Sequence, residues 1–180
     1  MLKKIISILS TTILTLNLNA ESIDIKEGWN LLGAPSIIEL NKFDNSCVDY
    51  ILKYNVETDT KLGWQHHIAN GEFYNYEGTE ISSINEGDGF WVNSDSTTIT
   101  LEGTESASVL ALKSGWNLVS FTGTGTKSVV DVFGNDNNIY TVWGFENNTW
   151  QAWSPSNAVK TAIANSSIAP LSEVSDSKGY

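Results

Sequence analysis

Polar and apolar positions in this chain alternate in short runs, each broken by Gly, Asn, Asp or Ser. Ile23-Asp24-Ile25-Lys26 is one such run, and Leu110-Ala111-Leu112-Lys113 is another. Each leads into the same four residues, Gly28-Trp29-Asn30-Leu31 and Gly115-Trp116-Asn117-Leu118, 87 positions apart. Alternation of period two predicts half-buried strands. A motif that returns at this distance predicts two copies of one structural unit.

The copies can be followed further. Tyr50-Ile51-Leu52-Lys53-Tyr54-Asn55-Val56 leads through polar residues to Trp64-Gln65, and Ile139-Tyr140-Thr141-Val142-Trp143-Gly144-Phe145 leads through Glu146–Thr149 to Trp150-Gln151. β-Branched and aromatic residues around a polar turn predict a hairpin in each unit. Ile81, Ile84, Gly89 and Phe90 recur with the same spacing as Leu171, Val174, Gly179 and Tyr180, now 90 positions apart. Ser36-Ile37-Ile38-Glu39 and Ser128-Val129-Val130-Asp131 share a capping pattern that predicts one short helix per unit. The fold class expected is therefore mainly β: two tandem β units of small barrel or sandwich type, each with one short helix. In the first unit Phe90-Trp91-Val92 and Thr97–Leu101 read as closing strands. Their counterparts do not follow Tyr180, so the second unit is expected to be truncated, with an uncovered core face and an unpaired edge. The expected division is residues 1–20, 21–103 and 104–180.

Residues 1–20 read as a secretory signal, with Lys3 and Lys4 ahead of the apolar stretch Ile5–Leu16 and a small residue, Ala20, at the cut. This predicts an exported protein, periplasmic, on the outer surface or extracellular, with no membrane span once the signal is removed. Loss of Lys3 and Lys4 leaves eight Lys against 21 acids, a net charge of −13, with no Arg. Without bidentate guanidinium forks, nucleic acid is not an expected partner. Cys47 is the sole cysteine and cannot form an internal bridge; it is expected as a small buried residue.

As a set, Gly-Trp-Asn-Leu, the short helix, the Trp-Gln hairpin and Gly89-Phe90-Trp91-Val92 resemble a β-rich tandem repeat of exported bacterial and archaeal surface proteins. The resemblance implies an extracellular structural or binding role and supplies no catalytic residues.

Apparent catalytic and ligand motifs have simpler readings. Gly123-Thr124-Gly125-Thr126-Lys127-Ser128 lacks the glycine before the lysine that a phosphate loop needs. His66-His67 would point to opposite faces of a strand and cannot share a metal. Glu86-Gly87-Asp88-Gly89 is turn chemistry. No cofactor, metal or catalytic residue is expected. Trp29, Trp116, Trp64, Trp150 and Trp91 sit at repeat landmarks and read as core. Tyr74, Tyr76, Trp143 and Trp153 are freer of the pattern and are the expected ligand-binding residues. The expected function is an exported, non-enzymatic module for adhesion, scaffolding or protein binding, with a surface protein or glycan as partner and self-association through the truncated end. A carbohydrate-binding module using exposed aromatics is one alternative, and a fragment of an exported glycan hydrolase is another.

Overall fold

The computed structural model of the chain describes residues 19–43, 47–54, 64–68, 79–95, 97–103, 111–121, 123, 125–134 and 136–180. The first half contributes β1 (Asn19–Ile25), β2 (Gly28–Gly33), β3 (Val48–Tyr54), β4 (Trp64–Ile68), β5 (Thr79–Glu80), β6 (Gly89–Ser94) and β7 (Thr97–Gly103). The second contributes β8 (Thr126–Ser128), α1 (Val129–Phe133), β9 (Val142–Glu146), β10 (Thr149–Trp153), α2 (Asn157–Ala164), β11 (Ala169–Pro170) and β12 (Glu173–Ser175). The chain is mainly β, in small sheets ordered β1-β7, β2-β6-β3-β4-β5, β11-β10-β9 and β12-β8. The described strands close no barrel and pack as small layers, each half around its own core.

The two halves share a hydrogen-bond plan. In the first, β5 lies parallel to β4, with Gln65 opposite Thr79, and the Ile81 N–H donates to His66 O at 2.7 Å. In the second, β11 lies parallel to β10, with Gln151 opposite Ala169, and the Leu171 N–H donates to Ala152 O at 2.9 Å. Leu32 faces Phe90 across β2 and β6, and Val119 exchanges two backbone hydrogen bonds with Tyr180. The hairpins match through their aromatic ends: Tyr54 pairs with Trp64, and Phe145 pairs with Trp150. Aligning the seven-residue runs end to end would instead match Tyr54 with Trp143. The second hairpin turns on Asn147 and Asn148, both with positive φ (51° and 57°), the type I′ geometry that suits strand twist.

The Gly-Trp-Asn-Leu motif is a clamped turn. Gly28 and Gly115 have φ of +88° and +99°, which L side chains rarely adopt. Asn30 Oδ1 accepts from the Lys26 N–H at 3.0 Å, and its amide donates back to the Lys26 and Gly28 carbonyls at 2.8 and 3.0 Å. Asn117 repeats this on Lys113 and Gly115 at 2.9, 2.9 and 3.0 Å. In the first half the motif is itself the start of β2; in the second, Trp116–Leu118 join no ladder among the described residues.

The halves meet in a reciprocal seam. The Gly33 N–H donates to Ser177 O at 3.0 Å, and the Ser120 N–H to Gly87 O at 2.8 Å. The Gly89 N–H donates to Leu118 O at 3.2 Å, and the Gly179 N–H to Leu31 O at 3.3 Å. Each bond becomes the other when the halves are exchanged, the logic of an isologous dimer interface within one chain. The approach is too close for side chains. A Cβ on Gly89 would lie 2.7 Å from Val119 O, and one on Gly179 would lie 2.6 Å from Leu32 O.

Each half has a separate core. Phe43, Ile51, Ile84, Phe90 and Val92 anchor the first, which Ile25 of β1 and Ile99 of β7 also join. Val129, Val142, Trp153, Leu171, Val174 and Tyr180 form the second.

Several expectations need correction. Ser36–Glu39 is not helical: Ile38 bridges to Ile84 and is buried, and the helical element among the described residues of the first half is a 3₁₀ turn at Leu40–Lys42. Burying Ile38 in the core outweighs the local capping signal. The described residues of the second half form two helices. α1 starts at Ser128 as expected, its Oγ accepting from the Val130 N–H at 3.3 Å, while α2 was not anticipated. Cys47 is exposed rather than buried. Trp29, Trp116 and Trp150 are 38%, 68% and 45% exposed, so they are not core residues.

Candidate functional site: an aromatic seam between the repeats

β6 presents two faces. Phe90 and Val92 point into the first core, which leaves Trp91 on the opposite face by the two-residue period. There the register places Trp91 between Leu31 on β2 and Leu52 on β3, both buried. The hairpin β9–β10 covers this second face. Trp91 therefore becomes a hub joining the repeats, with ring centroids 6.4 Å from Trp29, 5.2 Å from Phe145 and 5.7 Å from Trp150. Phe145 and Trp150 are a cross-strand pair 5.1 Å apart, and Trp143 lies 6.1 Å from Trp150. Lys26 reaches across to the side-chain oxygen of Asn147 at the hairpin turn.

The five rings run from the first repeat to the second as one strip, with Trp29 and Trp150 most open to solvent. Interplanar angles range from 61° to 85°. Each edge meets a neighbour's face, the favourable quadrupole arrangement. The strip thus presents edges and faces in alternation. A flat ligand such as a sugar chain cannot lie on two successive faces here. A partner whose own side chains interdigitate can.

Of the expected ligand-binding residues, Trp143 belongs to this strip. It is half-buried, and its indole N–H donates to Thr141 Oγ1 at 3.1 Å. Trp153 does not: it points into the second core at 9% exposure, because it sits opposite Val142, whose side chain faces the same core. Tyr74 and Tyr76 lie outside the described residues. The members that sequence reasoning missed are Trp29, Trp91, Phe145 and Trp150. Trp29, Trp91 and Trp150 read as core because they sit at repeat landmarks, and Phe145 reads only as a hairpin residue. All four lie on sheet faces that pack between the repeats and are only partly covered.

The remaining motifs take structural roles. Asp88 is bound by the Lys53 ammonium and accepts from the Asn85 N–H at 2.6 Å, so Glu86–Gly89 is a tied turn. The Gly125 N–H donates to Asp176 Oδ2 at 3.1 Å; this loop holds a carboxylate of its own chain. His66 and His67 are adjacent on β4, opposite Leu52 and Ile51. Among the described residues no group of three or more His, Cys, Asp or Glu is placed to hold a metal. Among them, too, no helix is long and apolar enough to cross a membrane.

Comparison of the chain with known protein families, curated proteins and solved structures finds no match.

Proposed function

We propose that this protein is an exported β-repeat module that acts by binding, in adhesion or scaffolding, and that it carries no catalysis. The contact surface is the strip of Trp29, Trp91, Phe145, Trp150 and Trp143, with Trp116 as an outlying contact. The observation that supports this reading is the exposure of three tryptophans on one chain, at 38%, 45% and 68%. Tryptophan is costly to leave in water and is the residue most enriched at binding hot spots. The N-terminal Lys3-Lys4 and apolar run support export, and the tandem motif supports likeness to the repeats of surface proteins. A surface protein fits the alternating relief better than a glycan does. A carbohydrate-binding role is the second reading, favoured by the 45% exposure of Trp150.

The test has two arms. Expression of the full gene should place the protein outside the cytoplasm with Glu21 as its first residue; retention inside with Met1 intact counts against export. The secreted chain should then be retained on surfaces coated with envelope protein, and a Trp29→Ala/Trp116→Ala/Trp150→Ala variant should lose retention at unchanged circular dichroism. Retention on insoluble glycans alone would replace the first reading with the second. Undiminished binding by the triple variant removes both.

A further inference from the structure

The two repeats differ at one corner of the core in a way that leaves a cavity in the second. In the first repeat Lys53 lies opposite Phe90 and is 6% exposed. Its ammonium pairs with Asp88 and donates to Ser83 O at 3.2 Å. The hairpin register makes Gly144 the counterpart of Lys53. The 90-residue offset makes Glu173, Ser175, Lys178 and Tyr180 the counterparts of Ser83, Asn85, Asp88 and Phe90. The long side chain is gone. In its place is a cleft of about 190 Å³ lined by Gly144, Glu146, Glu173, Ser175, Lys178 and Tyr180. That is far more than the roughly 10–15 Å³ one water needs.

The walls suit an alkyl stem with a cationic head. At the Gly144 end, a Cβ would stand 3.3 Å from Leu171 Cδ1 and 3.5 Å from the Tyr180 ring, ordinary to slightly tight apolar contacts. At the polar end, Ser175 Oγ is buried and has no hydrogen-bond partner among the described residues. Tyr180 Oη lies beside it, accepting from the Ser175 N–H at 2.8 Å. Glu146 pairs with Lys178 at 2.6 Å, which neutralises that lysine and leaves Glu173 as the unbalanced charge of the lining. A net negative, acceptor-rich pocket favours a cation over an anion.

We propose that this cleft binds a primary alkylammonium group, seated as the Lys53 side chain is seated in the first repeat. The stem lies along Leu171 and Tyr180, and the ammonium donates to Ser175 Oγ and shares the Glu146 carboxylate with Lys178, the surplus negative charge coming from Glu173. The group comes from a lysine side chain of a partner protein or from a free alkylamine; the chemistry recognised is the same.

Titration of the full chain with n-butylammonium, monitored by the amide signals of Gly144 and Ser175, should give saturable shifts at millimolar ligand. The neutral isostere n-butanol should bind at least tenfold more weakly. Gly144→Lys should place its own ammonium in the cleft and abolish binding. Glu146→Gln, at a half-exposed position that tolerates change, should weaken binding severalfold and serves if Gly144→Lys does not fold. Acetyl-lysine-methylamide separates the sources: affinity equal to or above that of butylammonium assigns the site to a protein lysine, and tenfold weaker affinity assigns it to a free amine. No saturable shift with butylammonium, equal binding of butanol, or undiminished binding by Glu146→Gln would overturn the proposal. None of these results depends on the aromatic strip.

Discussion

The Tyr180 hydroxyl accepts a hydrogen bond from the Ser175 N–H at 2.8 Å, and so does in the second repeat what the Asp88 carboxylate does for the Asn85 N–H in the first. The two solutions are alternatives. Where a Phe fills the core, a carboxylate caps the turn and a buried lysine balances it. Where a Tyr fills the core, its own oxygen caps the turn and Gly144 stands where the first repeat has Lys53. Tyr180→Phe should leave that N–H without its partner and cost about 1–3 kcal/mol. In a chain of this size this lowers Tm by about 2–4 °C per kcal/mol, which calorimetry measures.

The same residue gives a pH dependence. Burial, first of all, and Glu146 and Asp176 nearby raise the Tyr180 hydroxyl above the ordinary tyrosine value, while the bond from Ser175 partly offsets them. A group whose proton affinity is higher folded than unfolded adds stability below its unfolded value, near 10, and that stability is lost as pH rises through the higher folded value. Urea midpoints should therefore fall as pH rises above about 10 and on through the higher folded value, and fall less steeply in Tyr180→Phe. Identical slopes in the two proteins would remove Tyr180 as the cause.

The seam glycines are required by distance. Gly89→Ala and Gly179→Ala each push a methyl to within 2.7 Å of backbone in the opposite repeat. Since neither backbone can yield without breaking the reciprocal hydrogen bonds, each change should cost about 1–3 kcal/mol, as overpacking does. Gly28→Ala fails by another route, its positive φ, with nothing within 4 Å of the added atom. Chemical denaturation separates them: the seam variants should also loosen contact between repeats, seen as solvent quenching of Trp91 fluorescence, and Gly28→Ala should not.

How much of this could be read from the chain depends on what each signal measures. The mainly β class followed from period-two runs and turn residues, which are local. The recurrences of Gly28, Asn30, Gly89 and Gly179 pointed to real equivalences, because each residue is the solution to a backbone problem that both halves share. The side-chain environments of the tryptophans were not legible. Period two tells which residues share a face, not what covers that face, and here the cover for Trp91 comes from the other repeat. The first-repeat helix failed for a similar reason. Ser36 and Glu39 describe a local preference, and Ile38 gains more from its bridge to Ile84. Nothing in the spacing distinguished Trp143, on the strip, from Trp153, in the core.

That last distinction can be tested directly. Trp153→Ala empties part of the second core and should cost about 3–5 kcal/mol. Trp150→Ala, at 45% exposure, removes three edge-to-face ring contacts and should cost less, about 1–3 kcal/mol. The order of loss should reverse for binding: Trp150→Ala folds and fails to adhere, whereas any Trp153→Ala protein that folds at low temperature still adheres.

The asparagine clamps test the repeat itself. Asn30 and Asn117 each accept one backbone hydrogen bond and donate two, at distances matching within 0.1 Å. Aspartate is nearly the same shape but, ionised, can only accept. Asn30→Asp and Asn117→Asp should therefore keep the acceptance, lose both donations and set a carboxylate against two carbonyl oxygens. A cost of about 1–2 kcal/mol is expected at each site. At low pH the protonated acid regains one donor, so part of the loss should be recovered as pH falls through the carboxyl range. The consequences should differ between the halves. Asn30 lies within β2, which is paired along its length to β6, so its loss should raise hydrogen exchange throughout that ladder. Asn117 lies within Trp116–Leu118, which join no described ladder, so its loss should be felt from Leu118 to Ser120, in the seam. Equal exchange in both variants at both places would mean that the two motifs are alike in sequence and local geometry but do not perform equivalent work in the fold.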